Sequence, residues 1–351
     1  MTNDVNKKPV LVTGGCGFVG RHLVNKLIKK GNSVWIVDNL FTGWHPDKWL
    51  RGYDRKEDGN LIKYTKNGIE ITFIEADALD FFLDEIKSRP KIKLPAFSDV
   101  YHLASIVGGR ALIDGDPIQV ATDLAIDSLF FVWATRNKEK IERVMYTSSS
   151  AAYPIHLQSE SNTVALAENL IRFDHGMGLP DMTYGWSKLS GEYLARFAAK
   201  HYGMHVACVR PFSGYGEDQD TSYPVPAIAS RIAKRENPMT VWGTGEQGRD
   251  FVHIDDCIEA MFIVLDKISD GSGINIGTGK LLSFNEIIRT FAKIEKYEPS
   301  IKQLLDKPVG VQARHAHPEK IFSLGWKPEI SLEDGLTRVL NYAKENKTFE
   351  V

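Results

Sequence analysis

A short apolar run that breaks into three spaced glycines constrains this chain more than any other feature. Pro9-Val10-Leu11-Val12 is rich in β-branched residues and lacks alternation, the pattern of a strand buried on both faces. It leads into Thr13-Gly14-Gly15-Cys16-Gly17-Phe18-Val19-Gly20. Leu23, Val24, Leu27 and Ile28 then recur at helical spacing until Gly31-Asn32 stops the helix. Strand, Gly-rich turn and helix in that order form a phosphate cradle. Gly14 permits the tight turn, Gly17 lets backbone approach a pyrophosphate, and Gly20 lets helix and strand touch. The free N–H groups at the helix start face the anion. Asp38 closes a second strand, 33–37, where a carboxylate accepts from both ribose hydroxyls and repels a 2′-phosphate. The expected cofactor is NAD rather than NADP.

Further strands are expected at 72–75, 99–103, 143–148, 205–209 and 273–276. Helices are expected at 79–87, 117–136, 184–202, 225–234, 254–267 and 283–296. Strands separated by helices imply an α/β fold, a doubly wound parallel (Rossmann) sheet with right-handed crossovers. Gly, Pro and Asp cluster between 214 and 226, where a smaller C-terminal lobe begins. A length of 351 residues leaves room for both parts.

Composition narrows the partners. Forty-three basic and forty-five acidic residues leave a formal charge of -2, which gives no electrostatic reason to expect nucleic acid or an anionic membrane. The three cysteines, Cys16, Cys208 and Cys257, are odd in number and far apart, without zinc-ligand spacing or a disulfide framework. They read as buried thiols of a cytoplasmic protein, and no metal is expected. The polar N-terminus does not read as a signal peptide. The longest apolar stretch, 260–265, is far short of the ~20 residues of a membrane span.

Two clusters carry chemistry. Tyr184 and Lys188 stand at i and i+4, which places a phenol and an ammonium on one helix face. The ammonium favours phenolate, so Tyr184 is expected to act as a base whose pKa is pulled down by Lys188. Thr147-Ser148-Ser149-Ser150 ends a sheet strand, where ligands of open α/β sheets bind, and any of the three serines can hold a reacting oxygen near the phenol.

The glycine cradle, Asp38, His102-Leu103-Ala104-Ser105, the serine cluster, Tyr184/Lys188 and Arg249-Asp250-Phe251 occur in an order that resembles the extended short-chain dehydrogenase/reductase family. Within it the chain is most similar to the NAD-dependent nucleotide-sugar epimerases and dehydratases. The likeness runs nearly the whole length, to Leu324-Gly325-Trp326 and Ser331-Leu332-Glu333-Asp334-Gly335-Leu336. The resemblance implies a nucleoside-diphosphate sugar as substrate. It assigns Phe18, Val19, Asp77, Ala78, Leu103, Ala104 and Ser105, with Tyr184 and Lys188, to the cofactor. It selects Ser149, four residues before Tyr153, as the catalytic hydroxyl. It places Arg249 and Arg314 at the substrate phosphates, and Gly108, Gly109, Ser150, Ser213 and Trp242 around the rest of the substrate. Residues 1–212 would form the NAD domain, with 249–270 returning to it, and 213–248 with 271–351 the substrate lobe. The resemblance also implies a homodimer through helices 117–136 and 184–202, with Leu189, Tyr193, Leu194 and Phe197 as apolar surface.

Departures from the family narrow the reaction. Dehydratases carry Asp then Glu after the catalytic hydroxyl, where this chain has Ser150 and Ala151. Ala104–Gly109 and Ala152-Tyr153-Pro154 look like GDP-mannose 3,5-epimerase, which tilts the substrate towards GDP. The Cys and Lys of that enzyme would fall at Ala151 and near Pro224. The remaining expectation is hydride chemistry at C4, as a 4-epimerase or C4 oxidoreductase. A C4 dehydrogenase, a 3,5-epimerase with replaced acid/base groups and a catalytically silent NAD-binding regulator are the alternatives.

Overall fold

The computed structural model describes residues 7–87, 92–108, 110–160, 162–174, 176–307 and 309–346. β1 (Val10–Thr13) is buried throughout and enters α1 (Phe18–Lys29), which turns Gly20, Leu23, Val24 and Leu27 inward. β2 (Val34–Asp38) is followed by a hairpin, β3 (Asp54–Asp58) and β4 (Leu61–Lys66), and then by β5 (Ile69–Glu75). Next come α2 (Ala78–Ile86), β6 (Phe97–His102), α3 (Arg110–Gly115), α4 (Pro117–Val120), α5 (Thr122–Arg136) and β7 (Ile141–Thr147). A small ribbon, β8 (Gln158–Ser159) and β9 (Asn162–Thr163), precedes the long α6 (Met182–Tyr202), which Gly203 ends at φ 68°. β10 (His205–Pro211) completes this half.

The second half begins with β11 (Ser213–Tyr215), α7 (Pro224–Ala233), β12 (Met239–Trp242), β13 (Gly248–Arg249), β14 (Phe251–His253) and α8 (Ile254–Lys267). It continues with β15 (Asp270–Ile276), β16 (Leu282–Ser283), α9 (Phe284–Glu295) and β17 (Ile301–Leu304). β18 (Ala313–Arg314), α10 (Glu319–Ser323) and α11 (Leu332–Glu345) close it.

Nine strands form the main sheet in the order β15-β10-β7-β6-β1-β2-β5-β4-β3. All pairings from β15 to β5 are parallel, and β4 and β3 add on antiparallel. The order reverses between β1 and β6, which makes the ends of those two strands the ligand crevice of a doubly wound sheet. Alternate residues fill two cores. Val10 and Val12 pack with α1 and α8 on one face, and Leu11 packs with α2, α5 and α6 on the other. A third core joins α7, α9 and α11 in the smaller lobe.

Most expected elements appear within a few residues of their predicted bounds. The hairpin was not expected, because β3 (Asp-Arg-Lys-Glu-Asp) is fully exposed and has no apolar pattern. The helix expected over 117–136 is two helices that meet at Ala121. That span is apolar enough by length and composition to cross a membrane, but it buries Asp123 and Asp127 and packs against α2 and α6. The domain boundary at 271 falls inside β15, a strand of the main sheet. Ile321 and Trp326 also return to the core under α1 and α8.

Candidate active site

The cradle is built from backbone. Gly14 adopts φ +71°, and a Cβ there would lie 2.8 Å from the Ala104 nitrogen. At Gly20 a Cβ would overlap the Gly14 carbonyl oxygen, so helix and turn meet at a distance only glycine allows. Gly17 caps α1, and Phe18 and Val19 form its first turn. Asp38 is almost fully buried at the end of β2 and accepts from Cys16 N (2.9 Å) and Leu40 N (2.8 Å). Burial pushes its carboxyl upward, against those amide bonds and the charge of Arg21. The Gly17 amide is a third donor to this carboxylate, which leaves one of its four lone-pair sites for a further donor.

Asp77 caps α2 by accepting from Leu79 N and also accepts from Asn39 Nδ2, with Ala78 beginning the helix. Leu103 and Ala104 are drawn to β1 by bonds to Thr13 O and Thr13 Oγ1. These groups and the glycine clearances together fit a dinucleotide across the β1/β6 crevice. Gly108 extends from the same loop, and Gly109 lies outside the described residues.

The serine cluster resolves into different roles. Ser148 Oγ donates to the buried carboxylate of Glu192 at 2.6 Å, which is itself held by Arg210 at 2.6 and 2.8 Å. Ser150 is buried in the turn. Ser149 is half-buried, its Oγ accepts from Ala151 N, and it hydrogen-bonds Tyr184, which favours the phenolate. Tyr184 rises on the first turn of α6 and Lys188 one turn later, its Nζ 5.7 Å from the phenol ring centre.

The phenol's balance differs from the sequence expectation. Burial raises the Tyr184 pKa, Lys188 lowers it, and Asp123 and Asp127 raise it, so the net direction is upward. The two carboxylates were missed because nothing in the sequence brings α5 against Lys188. Asp123 Oδ2 and Asp127 Oδ2 lie 4.0 and 3.9 Å from Nζ. Tyr223, at the start of α7, is another missed group, and its phenol feels that of Tyr184.

The substrate-side residues come from separate segments. β13 and β18 run parallel with Arg249 opposite Arg314, so both guanidinium groups leave one face of a three-stranded ribbon. Arg249 lies over the Phe284 ring and donates to Gly248 O. Arg314 is not a free surface arginine. It binds Gln158 Oε1 and pairs with Asp181 Oδ2 at 2.7 Å, directly before α6. Ser213 begins β11 and donates its N–H to Asp250 O, while Trp242 is exposed at the end of β12.

This arrangement matches known proteins along its length. The sequence model of the NAD dependent epimerase/dehydratase family matches residues 10–277, and the chain belongs to that family. A relative named putative UDP-glucose 4-epimerase, from Methanocaldococcus jannaschii, is 31% identical over 96% of this chain and 99% of its own. GDP-mannose 3,5-epimerase 1 of Oryza sativa subsp. indica is 26% identical over 97% of this chain and 82% of its own. Among solved structures, UDP-glucuronic acid 4-epimerase from Bacillus cereus, in complex with UDP-glucuronic acid and NAD, superposes with a TM-score of 0.76. It is 26% identical and covers 96% of this chain and 99% of its own. The protein is an NAD-dependent enzyme of the nucleotide-sugar epimerase/dehydratase class.

Proposed function

We propose that the protein is a nucleotide-sugar 4-epimerase, with a UDP-hexose or UDP-hexuronic acid as the first substrates to test. The observation that carries this reading is the Ser149–Tyr184–Lys188 arrangement followed by Ser150 and Ala151, which carry no acid or base. Tyr184 takes the proton of the C4 hydroxyl, Ser149 orients that oxygen, and Lys188 stabilises the phenolate. NAD, when bound, supplies the hydride acceptor and donor. Arg249 and Arg314 hold the diphosphate while the 4-keto sugar turns over. The named activities of the 31% and 26% identical relatives that act at C4 support the UDP assignment over GDP.

The test is incubation of the protein with UDP-, GDP-, CDP- and dTDP-sugars in deuterated water, with product analysis. C4 epimers without deuterium at C3 or C5 are expected. Tyr184→Phe should reduce turnover to background with fold and NAD affinity retained. Deuterium at C3 or C5 at the rate of turnover would replace this reading with 3,5-epimerisation.

We further propose a cytoplasmic homodimer. Leu124 and Val132 of α5 and Trp186, Tyr193 and Phe197 of α6 are exposed apolar residues on two helices that pack against each other. Leu189, expected on this face, is instead buried in the subunit, and Leu194 packs on its core. Light scattering should report twice the single-chain mass; a monomer at micromolar concentration would remove the proposal. The three buried, unpaired cysteines support the compartment.

A further inference from the structure

One ammonium faces two carboxylates in the wall behind Tyr184. Asp127 is bound from three sides. Tyr146 Oη donates to its Oδ2 at 2.6 Å, His102 Nε2 lies 3.1 Å from Oδ1, and Lys188 Nζ is 3.9 Å away. Burial works against its charge, yet those partners hold its carboxyl below the usual range. Burial pushes His102 down, towards the neutral imidazole, which shares a 2.8 Å hydrogen bond with Thr13 of the cradle strand.

Asp123, one helical turn earlier, is placed differently. Its Oδ1 accepts from Ile106 N at 2.6 Å, and its Oδ2 accepts from Ser105 Oγ. Both donors belong to the loop that leaves β6 at the crevice. Burial, together with Asp127, raises Asp123 to about 6 in spite of Lys188. With Asp127 held towards its charged form and His102 towards its neutral one, Asp123 is the carboxyl of this wall whose charge is least secured. Lys188 and Tyr184 from α6, Asp127 from α5 and the Ser105–Ile106 loop face Asp123 itself; Tyr146 from β7 and His102 from β6 act on Asp127, Cys208 from β10 on Lys188, and Tyr223 before α7 on Tyr184.

We propose that Asp123 is a positioning residue that ties the Ser105–Ile106 loop to the Lys188 ammonium and, through its charge, sets the base strength of Tyr184. The assignment rests on Tyr184 being the base of the proposed reaction, but its consequence is readable without turnover. An ionised Asp123 opposes loss of the Tyr184 proton, since like charges disfavour one another in a buried site. Neutralising it should therefore favour phenolate.

The experiment is a spectrophotometric titration of phenolate in NAD-loaded protein, taken as the difference between each protein and its Tyr184→Phe counterpart. Asp123→Asn keeps the side-chain shape and should move the Tyr184 titration to lower pH by about half a unit, a threefold gain in phenolate at fixed pH. Ser105→Ala loosens the loop tie but leaves Asp123 ionised throughout the phenol's range, so it should leave the Tyr184 titration in place and serves as the control that separates charge from positioning. Asp123→Glu should restore the wild-type position. A titration unmoved in Asp123→Asn, or moved as far in Ser105→Ala as in Asp123→Asn, overturns the proposal, even if melting temperature falls. Failure of every sugar substrate with the shift intact would instead overturn the 4-epimerase reading alone.

Discussion

Around Gly14 the binding surface is backbone from one continuous stretch, Thr13 to Gly20, whereas around Arg249 it is side chains drawn from β13, β18 and the segment before α6. The two surfaces fail differently. In the cradle, space is the limiting quantity: a single methyl group meets main chain that cannot move without moving β1. On the substrate side, charge is limiting, and what a truncated side chain costs the fold depends on the partner it leaves behind. Cofactor affinity and stability should be coupled in the first region, whereas in the second substrate binding and stability should separate wherever the side chain holds no buried partner.

Gly20→Ala is the most disruptive way to test this contrast. Its Cβ overlaps the Gly14 carbonyl oxygen, and the cost should be on the order of 3 kcal/mol or more. NAD affinity and melting temperature should fall together; a stable variant that merely binds NAD weakly would break the comparison. Arg314→Ala comes second and crosses the divide. It leaves the buried Asp181 carboxylate without its guanidinium at the start of the catalytic helix. A loss of about 2–3 kcal/mol in denaturant unfolding is expected, with a lower kcat beside a higher KM. Arg249→Ala should be the mildest. KM for the nucleotide sugar should rise about tenfold through loss of one charge-assisted contact, with stability lowered by about 1 kcal/mol at most through the lost contact over Phe284. Equal effects of the two arginine substitutions on stability would show that the Asp181 pair contributes nothing to holding α6.

The same contrast explains what could be read from the sequence. Gly14, Gly17, Gly20 and Asp38 are informative because a dinucleotide turn requires main-chain conformations and clearances that few residues permit, and spacing alone encodes them. Tyr184 and Lys188 are informative because i and i+4 share a helix face. Asp123, Asp127 and Asp181 carry no such local signature: each matters only because packing of α5, or the return of β18, brings it to a particular partner. Ser149 is intermediate. The cluster was visible, but the commitment of Ser148 to Glu192 appears only in three dimensions. The exposed hairpin escaped detection for the opposite reason, since a strand without an apolar face leaves no periodicity to detect.

That hairpin also bears on how copies of the chain can meet. A parallel sheet that stopped at β5 would present a row of unsatisfied main-chain donors and acceptors, a template on which a neighbour could extend it indefinitely. Here the sheet instead ends in β3, where Asp54, Arg55, Lys56, Glu57 and Asp58 are all solvated and closely spaced in sign. A second edge brought against it would have to strip water from several charges for each main-chain bond gained. Open-ended, fibre-like growth along this edge is thereby disfavoured at the crowded concentrations of a cell.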